Sequence, residues 1–144
     1  TNTAPTLSMM TEFAVRYMEQ HFPNGYILIA EGAYMDKRSH ENNLAGMMRH
    51  MRNFDITVES VCRTLSDQQG VAVLVTADHE CGGLKLAKNK SELDRSLYTS
   101  KHHTAVDVPY FIRLQIAAGV PADYFTERMD NTDIYRIMRS LLGV

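Results

Sequence analysis

The sequence has no strong excess of either charge and no long apolar run. Its 15 basic and 17 acidic residues leave a net charge of −2 over 144 residues, so it has no general electrostatic attraction for nucleic acid or anionic lipid. No stretch approaches the roughly 18 apolar residues of a membrane span. Residues Thr1–Pro5 show neither the basic region nor the apolar core of a signal peptide. We therefore expect neither a nucleic-acid nor a membrane partner, although a trimmed sequence can lack its targeting segment.

Cysteine is also scarce, and the two that occur say little about the redox compartment. Cys62 lies in the amphipathic stretch Ile56–Leu65, where a small buried thiol is the simplest interpretation. Cys81 follows His79 and Glu80 directly. A metal-ligand role for Cys81 is open, and a local thiol beside a site is favoured. A disulfide between the two cysteines is allowed by the sequence and not required by it.

The hydrophobic pattern predicts one domain over residues 1–144, because 44% of the residues are hydrophobic and no repeat, low-complexity tract or linker interrupts the chain. Apolar spacing predicts helices alternating with strands, which indicates an α/β fold with a parallel or mixed sheet covered on both sides. The predicted elements are a helix over Leu7–His21 capped by Thr6, a strand over Tyr26–Ala30, a long helix over Asn42–Leu65, strands over Val71–Thr76, Leu84–Leu86 and Val108–Ile112, and a last helix from Asn131 or Thr132 that stops at Gly143.

Two further expectations concern burial. The long helix should bury one stripe, comprising Leu44, Met47, Met48, Met51, Phe54, Val58, Val61 and Cys62. The polar stretch Lys88–Lys101 is typical of a solvated loop or a surface helix.

Potential metal ligands follow two apolar runs at the point where each run ends. Tyr26–Ala30 is followed by Glu31, and Val71–Val75 is followed closely by Asp78 and His79. In open α/β sheets, ligands gather beyond the carboxyl ends of such buried strands. Two strands would thus supply one site.

The candidate ligand set is Glu31, Asp36, His40, Asp78, His79 and His103. Nitrogen and oxygen donors suit zinc, and the remaining carboxylates suit a harder ion such as magnesium. One zinc could take Asp36, His40 and His103 and keep an open position, while Asp78 and His79 would serve a second metal. Each residue also has an ordinary interpretation: a turn cap for Asp78 and His79, solvated carboxylates for Glu31 and Asp36, and a helix-start residue for His40.

Taken together, these segments resemble the alkaline phosphatases. The resemblance rests on Ala30–Asn43, Val75–Glu80 and His103–Thr104 before Val108–Pro109, and on the flanking segments Pro5–Thr11 and Asp130–Ile134. It implies that Glu31 binds magnesium, that Asp36, His40 and His103 bind one zinc, and that Asp78 and His79 bind a second. Lys37 would help to neutralise the phosphate of the substrate. His102 leaves open which imidazole is the ligand, and the residues that follow favour His103.

The resemblance also implies a place within a larger protein. The chain would be the C-terminal portion of a three-layer αβα sandwich with a mostly parallel sheet. No serine here has the setting of the family's nucleophile, and Ser39 is better explained as a polar loop residue. The parent would be an exported, periplasmic or secreted phosphate monoester hydrolase with two zinc ions and one magnesium, and a homodimer is compatible with this. The isolated chain is expected to be inactive.

Two other functions stay open at this point. One is a phosphodiesterase or a sulfatase-like member of the same superfamily, because the substrate class depends largely on residues outside this chain. The other is a non-catalytic metal-binding or interaction module.

Overall fold

The computed structural model describes residues 4–86, 97–115 and 125–143. Four helices and four strands occur in these ranges, and none of the described helices is long and apolar enough to cross a membrane. In chain order they are α1 (Leu7–His21), α2 (Tyr34–His40), α3 (Leu44–Thr64), β1 (Val71–Thr76), β2 (Glu80–Cys81), β3 (His103–Thr104), β4 (Tyr110–Gln115) and α4 (Asn131–Leu142).

The predicted bounds of the first and last helices are confirmed, and Thr6 and Gly143 lie at the helix ends predicted for them. Thr6 caps α1 by accepting a hydrogen bond from the Met9 backbone N–H at 3.2 Å. Asp130 caps α4 within a capping box, and Gly143 ends this helix at a φ of +72°.

The region before the long helix differs from its prediction. A separate helix, α2, occupies Tyr34–His40, where no helix was expected. The long helix then begins at Leu44 rather than near Asn42. Asn43 is its cap, because its side chain accepts a hydrogen bond from the Gly46 N–H at 2.9 Å.

The predicted parallel sheet is not found among the described residues. β1 pairs with β4 antiparallel, from Val71 opposite Gln115 to Thr76 opposite Tyr110, and β2 pairs with β3, also antiparallel. The expected strand at Tyr26–Ala30 is wrong for this structure, because no strand is assigned there and the side chain of Ile29 is 79% exposed. A continuous apolar run predicts burial, but a strand also needs a partner for its backbone groups, and no described strand pairs with this run.

Two strand boundaries also require correction. No strand forms at Leu84–Leu86, because the Leu84 N–H donates to the Glu80 carboxylate and Leu84 packs against the core. The strand expected at Val108–Ile112 starts two residues later, at Tyr110. Pro109 has no N–H to donate to a ladder, so the pairing with β1 begins directly after it.

The core lies on α3. Leu44, Met47 and Tyr98 form a buried cluster, and Met35, Leu84 and Leu97 pack against it. The predicted stripe on α3 is therefore only partly right, because Met48 and Met51 are 45% and 46% exposed.

Tyr98 lies in the stretch Lys88–Lys101 that was expected to be solvated, and it is instead 7% exposed. Residues 88–96 of that prediction fall outside the described residues. Cys62 and Cys81 are free thiols.

Candidate metal centre

Helix α2 carries the first two candidate ligands. Asp36 and His40 are four residues apart, so both side chains lie on the same face of the helix, and Asp36 Oδ1 is 3.4 Å from His40 Nε2. The helix is fixed by Ser39, whose hydroxyl donates to the Met35 carbonyl at 2.9 Å and lies 3.3 Å from the Tyr98 hydroxyl. The core therefore orients the helix that presents these two side chains.

A short β-ladder carries the next candidates. Cys81 in β2 lies directly opposite His103 in β3. Residues directly opposite each other in an antiparallel pair have their Cβ atoms about 4.5–5.5 Å apart. Because this register holds two potential ligands side by side, the ladder presents them to α2 as a pair.

Glu80 holds the ladder and the turn after it. Its carboxylate accepts hydrogen bonds from the Gly83 and Leu84 backbone N–H groups at 3.1 and 3.0 Å, and from the Thr104 hydroxyl. Burial opposes ionisation of Glu80, but these hydrogen bonds and the nearby His79 together lower the pKa of Glu80. An ionised Glu80 thus serves as a structural acceptor below the ligand group.

Three side chains from these two elements converge on one point. His40 Nε2 and His103 Nε2 are 3.1 Å apart, and Asp36 Oδ1 is 3.4 and 3.3 Å from them. Ligands at about 2.0–2.1 Å around a tetrahedral zinc ion lie about 3.3 Å from one another. The three atoms have the spacing that a shared zinc ion would require.

Two further observations show that the group suits a cation. Asp36 Oδ1 is buried and accepts no hydrogen bond from any residue that the structure describes. His40 Nδ1 is 2.5 Å from the Lys101 carbonyl oxygen. Because that carbonyl can only accept, the imidazole proton lies on Nδ1 and leaves the Nε2 lone pair directed at the group, as in zinc sites whose histidines bond to an outer acceptor.

Cys81 joins these three residues, which makes a group of four. One ligand atom of each of Asp36, His40, Cys81 and His103 lies within 4.8 Å of the others. The thiol donates weakly to the Asp36 backbone carbonyl at 3.8 Å. Burial, followed by this hydrogen bond and by the charges of Asp36 and Glu80, raises the pKa of the Cys81 thiol to about 12.

The other predicted ligands lie around this group without joining it. The ring of His79 stacks on His103, with centroids 3.5 Å apart, and its Nε2 is 3.3 Å from Asp78 Oδ2. The Asp78 side chain is 89% exposed. Glu31 is exposed and follows the run Tyr26–Ala30, with which no described strand pairs.

Two other predictions can be placed. The Lys37 ammonium lies 4.8 Å from the centre of the Tyr34 ring, a cation–π contact. Between the adjacent imidazoles, His103 belongs to the group of four and His102 does not, among the described residues. His102 instead contributes its backbone, since its N–H donates to Ser100 Oγ at 2.9 Å and its carbonyl accepts from the Gly82 N–H at 3.0 Å.

Sequence reasoning missed the residues that support the site. The sequence pattern predicts no supporting role for Glu80 or Tyr98 and favours a polar loop position for Ser39, although all three residues hold the ligand-bearing elements in place. The available signal was the segment from Asp78 to Gly83. Four side chains that can bind a metal or accept hydrogen bonds occur there in a row and are followed by two turn glycines.

Comparisons of the sequence with known proteins all lead to alkaline phosphatases. The sequence profile of the family described as alkaline phosphatase matches residues 1–93. The chain is 34% identical over 153 residues to alkaline phosphatase H of Pseudomonas aeruginosa, covering 97% of this chain and 32% of that protein. It is 27% identical over 162 residues to the alkaline phosphatase of Escherichia coli, covering 99% and 33%. Alkaline phosphatase 4 of Bacillus subtilis is 25% identical over 130 residues, covering 90% and 27%.

Solved structures agree on the fold. A variant of TAB5 alkaline phosphatase with magnesium bound superimposes with a TM-score of 0.80 at 20% identity, over 99% of this chain and 42% of that one. The alkaline phosphatase of the Antarctic bacterium TAB5 gives a TM-score of 0.74 at 21% identity, over 99% and 42%. The chain thus has the α/β fold of these proteins, and it spans between 27% and 33% of the length of the three relatives above.

Proposed function

This chain belongs to the alkaline phosphatase family, and from that premise we propose that it is the ligand-bearing portion of a metal-dependent phosphate monoester hydrolase. Because it spans about a third of the length of its relatives, the whole enzyme would contain more residues than these 144. The chain would supply the C-terminal portion of a three-layer αβα catalytic domain with a mostly parallel sheet. The enzyme would work in the periplasm or as a secreted protein.

The observation that carries the proposal is the convergence of Asp36 Oδ1, His40 Nε2 and His103 Nε2 at separations of 3.1–3.4 Å. These residues would hold one zinc ion. Zinc bound there supplies Lewis acidity toward an oxygen of the phosphoryl group. Their side chains are between 38% and 48% exposed, so an ion and a small ester can reach them from solvent.

The remaining predicted ligands would serve the other two ions. Asp78 and His79 would bind a second zinc, and the stacking of His79 on His103 at 3.5 Å supports a position beside the first. Glu31 would bind magnesium. Lys37 would neutralise charge on the substrate phosphate, after leaving its contact with the Tyr34 ring. Two protein ligands leave the shell of a zinc ion incomplete, so this second set would require a carboxylate from elsewhere in the enzyme.

The exposed run before Glu31 supports a larger sheet. Ile27, Leu28 and Ile29 are 44%, 37% and 79% exposed, although continuous apolar runs of this kind are typical of strands buried on both faces. We propose that this run becomes a strand of the parallel sheet in the complete enzyme. The carboxyl end of that strand would then deliver Glu31 to the site.

Calorimetric titration with zinc tests the ligand assignment in this chain. We expect one zinc site in the unmodified chain and its loss in His103→Ala, because His103 supplies one of three converging donors. His102→Ala is the matched control and should bind zinc like the unmodified chain, since the His102 ring lies outside the group. Equal losses in the two variants, or no zinc binding by the unmodified chain, would contradict the assignment.

Activity is tested on the longer enzyme. We expect the longer enzyme to hydrolyse p-nitrophenyl phosphate with zinc and magnesium, and chelation or His40→Ala should abolish this activity. The 144-residue chain alone should show no turnover, because activation of a nucleophile supplies much of the rate and no serine of this chain has the setting of the family's nucleophile. Parallel assays with a phosphate diester and a sulfate ester decide the substrate class. A clear preference for either ester would replace the monoesterase proposal, and metal binding without any hydrolysis would favour a non-catalytic module.

A further inference from the structure

The thiol of Cys81 is the one member of the four-residue group that has no part in the proposed three-ligand site. It is half-buried, and its sulfur lies within 4.8 Å of the ligand atoms of Asp36, His40 and His103. No described residue donates a hydrogen bond to it, and its own proton is directed at the Asp36 backbone carbonyl at 3.8 Å, which is a weak contact.

We propose that Cys81 is a fourth protein ligand of this metal site, which makes the site an Asp–His–Cys–His group. The inference rests on the proposed function, since it concerns the same ion. The proposed catalytic site uses three protein ligands. Cys81 would add a fourth, and a phosphoryl oxygen would then bind as a fifth donor, an expansion that catalytic zinc sites allow.

The backbone geometry supports a four-point site. Two donors come from one turn of α2, at Asp36 and His40, and two come from directly opposed positions of the β2–β3 ladder, at Cys81 and His103. The two pairs thus stand on separate elements that face each other. Two elements that each hold two donors side by side are a suitable frame for a tetrahedral ion, because the ion does not have to bring the members of either pair together.

A thiolate ligand would change which metal ions the site prefers. Thiolate is a soft ligand that favours zinc and cadmium, whereas magnesium prefers oxygen ligands. On coordination the thiol proton passes to solvent and the sulfur binds as thiolate, as metal binding generally requires. Cys81 should therefore increase the affinity of the site for thiophilic ions while leaving its weak affinity for magnesium unchanged.

Cobalt(II) is a suitable probe because it replaces zinc in tetrahedral sites and its spectrum reports its ligands. In the unmodified chain we expect an intense sulfur-to-cobalt charge-transfer band in the near ultraviolet together with visible bands of a tetrahedral ion. Cys81→Ser should lose the charge-transfer band and bind zinc at least about tenfold more weakly, since even outer-shell substitutions cost about 10–100-fold in metal affinity. Cys62→Ser is the matched control and should keep both.

The outcomes separate this proposal from the one it rests on. Visible bands that depend on His103, without a charge-transfer band, would keep the three-ligand site and overturn the role of Cys81. Absence of any cobalt binding would overturn both. A second measurement needs no variant: cadmium NMR of the unmodified chain should show the strong downfield shift of a thiolate-bound ion, and a resonance typical of nitrogen and oxygen ligands alone would again exclude Cys81.

Discussion

Replacement of Gly82 by alanine should lower the free energy of unfolding and should also disturb the ligand group. Gly82 is buried and has a φ of +91°, a conformation that favours glycine. A Cβ atom at this position would lie 2.5 and 2.7 Å from Cδ1 and Cε1 of Tyr98. The Tyr98 hydroxyl in turn lies 3.3 Å from Ser39 Oγ. Because Ser39 precedes His40 in α2, a displaced ring also displaces a ligand-bearing helix.

The expected loss of folding stability in Gly82→Ala combines two effects. The positive φ costs an alanine about 1–2 kcal/mol, and forcing a methyl group against a packed ring costs about 1–3 kcal/mol. Gly82→Ala should therefore destabilise the fold by about 2–5 kcal/mol, which is a large part of the roughly 5–15 kcal/mol that stabilises a typical domain. Gly70→Ala is the matched control, because its φ is +78° but a Cβ there would meet no atom of the described residues within 4 Å. It should cost only about 1–2 kcal/mol.

Urea denaturation followed by far-ultraviolet circular dichroism measures both losses, provided that the transitions have similar slopes. Zinc titration of the same two variants under native conditions measures the effect on the ligand group, and only Gly82→Ala should bind zinc more weakly. Equal destabilisation by the two substitutions would show that the contact with Tyr98 contributes nothing. Unchanged zinc affinity in Gly82→Ala would show that the core does not orient α2.

Two further predictions concern the helices. Met47→Ala should lower the free energy of unfolding by about 2–5 kcal/mol, because the Met47 side chain is only 6% exposed. Met48 is 45% exposed, so Met48→Ala should change it by no more than about 0.5 kcal/mol. Similar urea midpoints for the two variants would contradict this. Hydrogen bonds from the Thr132 backbone N–H and hydroxyl lower the pKa of Asp130. A depressed aspartate pKa stabilises the fold above the unfolded-state pKa, and this contribution is lost as the pH falls through the folded-state pKa. The difference in Tm between the unmodified chain and Asp130→Ala should thus shrink on acidification, and a constant difference would refute the role of this cap.

Local chemistry explains which elements were predictable. Helices α1 and α4 carry their own end signals, Thr6 at one start and Asp130 and Gly143 at the two ends of the other, so their bounds follow from neighbouring residues. β1 matches its predicted range Val71–Thr76, because its β-branched run is bounded by Gly70. Short helix α2 was missed, since it has no side-chain cap and only seven residues.

Pairing and burial were not predictable in the same way. The apolar runs predicted a parallel sheet, but the partner of each strand is chosen by distant residues, and β1 pairs here with β4 across about 40 positions of sequence in an antiparallel sense. Met48 and Met51 share the apolar character of Met47 and yet face solvent. Hydrophobic spacing shows which residues can be buried, whereas the packed neighbours decide which of them are.

The sequence by itself determined the kinds of ligand present and their order along the chain, because aspartate and histidine at Asp36, His40 and His103 leave few other chemistries open. Only the tertiary structure decided which of them meet. The contact of α2 with the β2–β3 ladder brings residues 36 and 103 together and leaves Asp78 in solvent. It also places Cys81 in the group, because the pairing of two segments that are distant in sequence sets that thiol opposite His103.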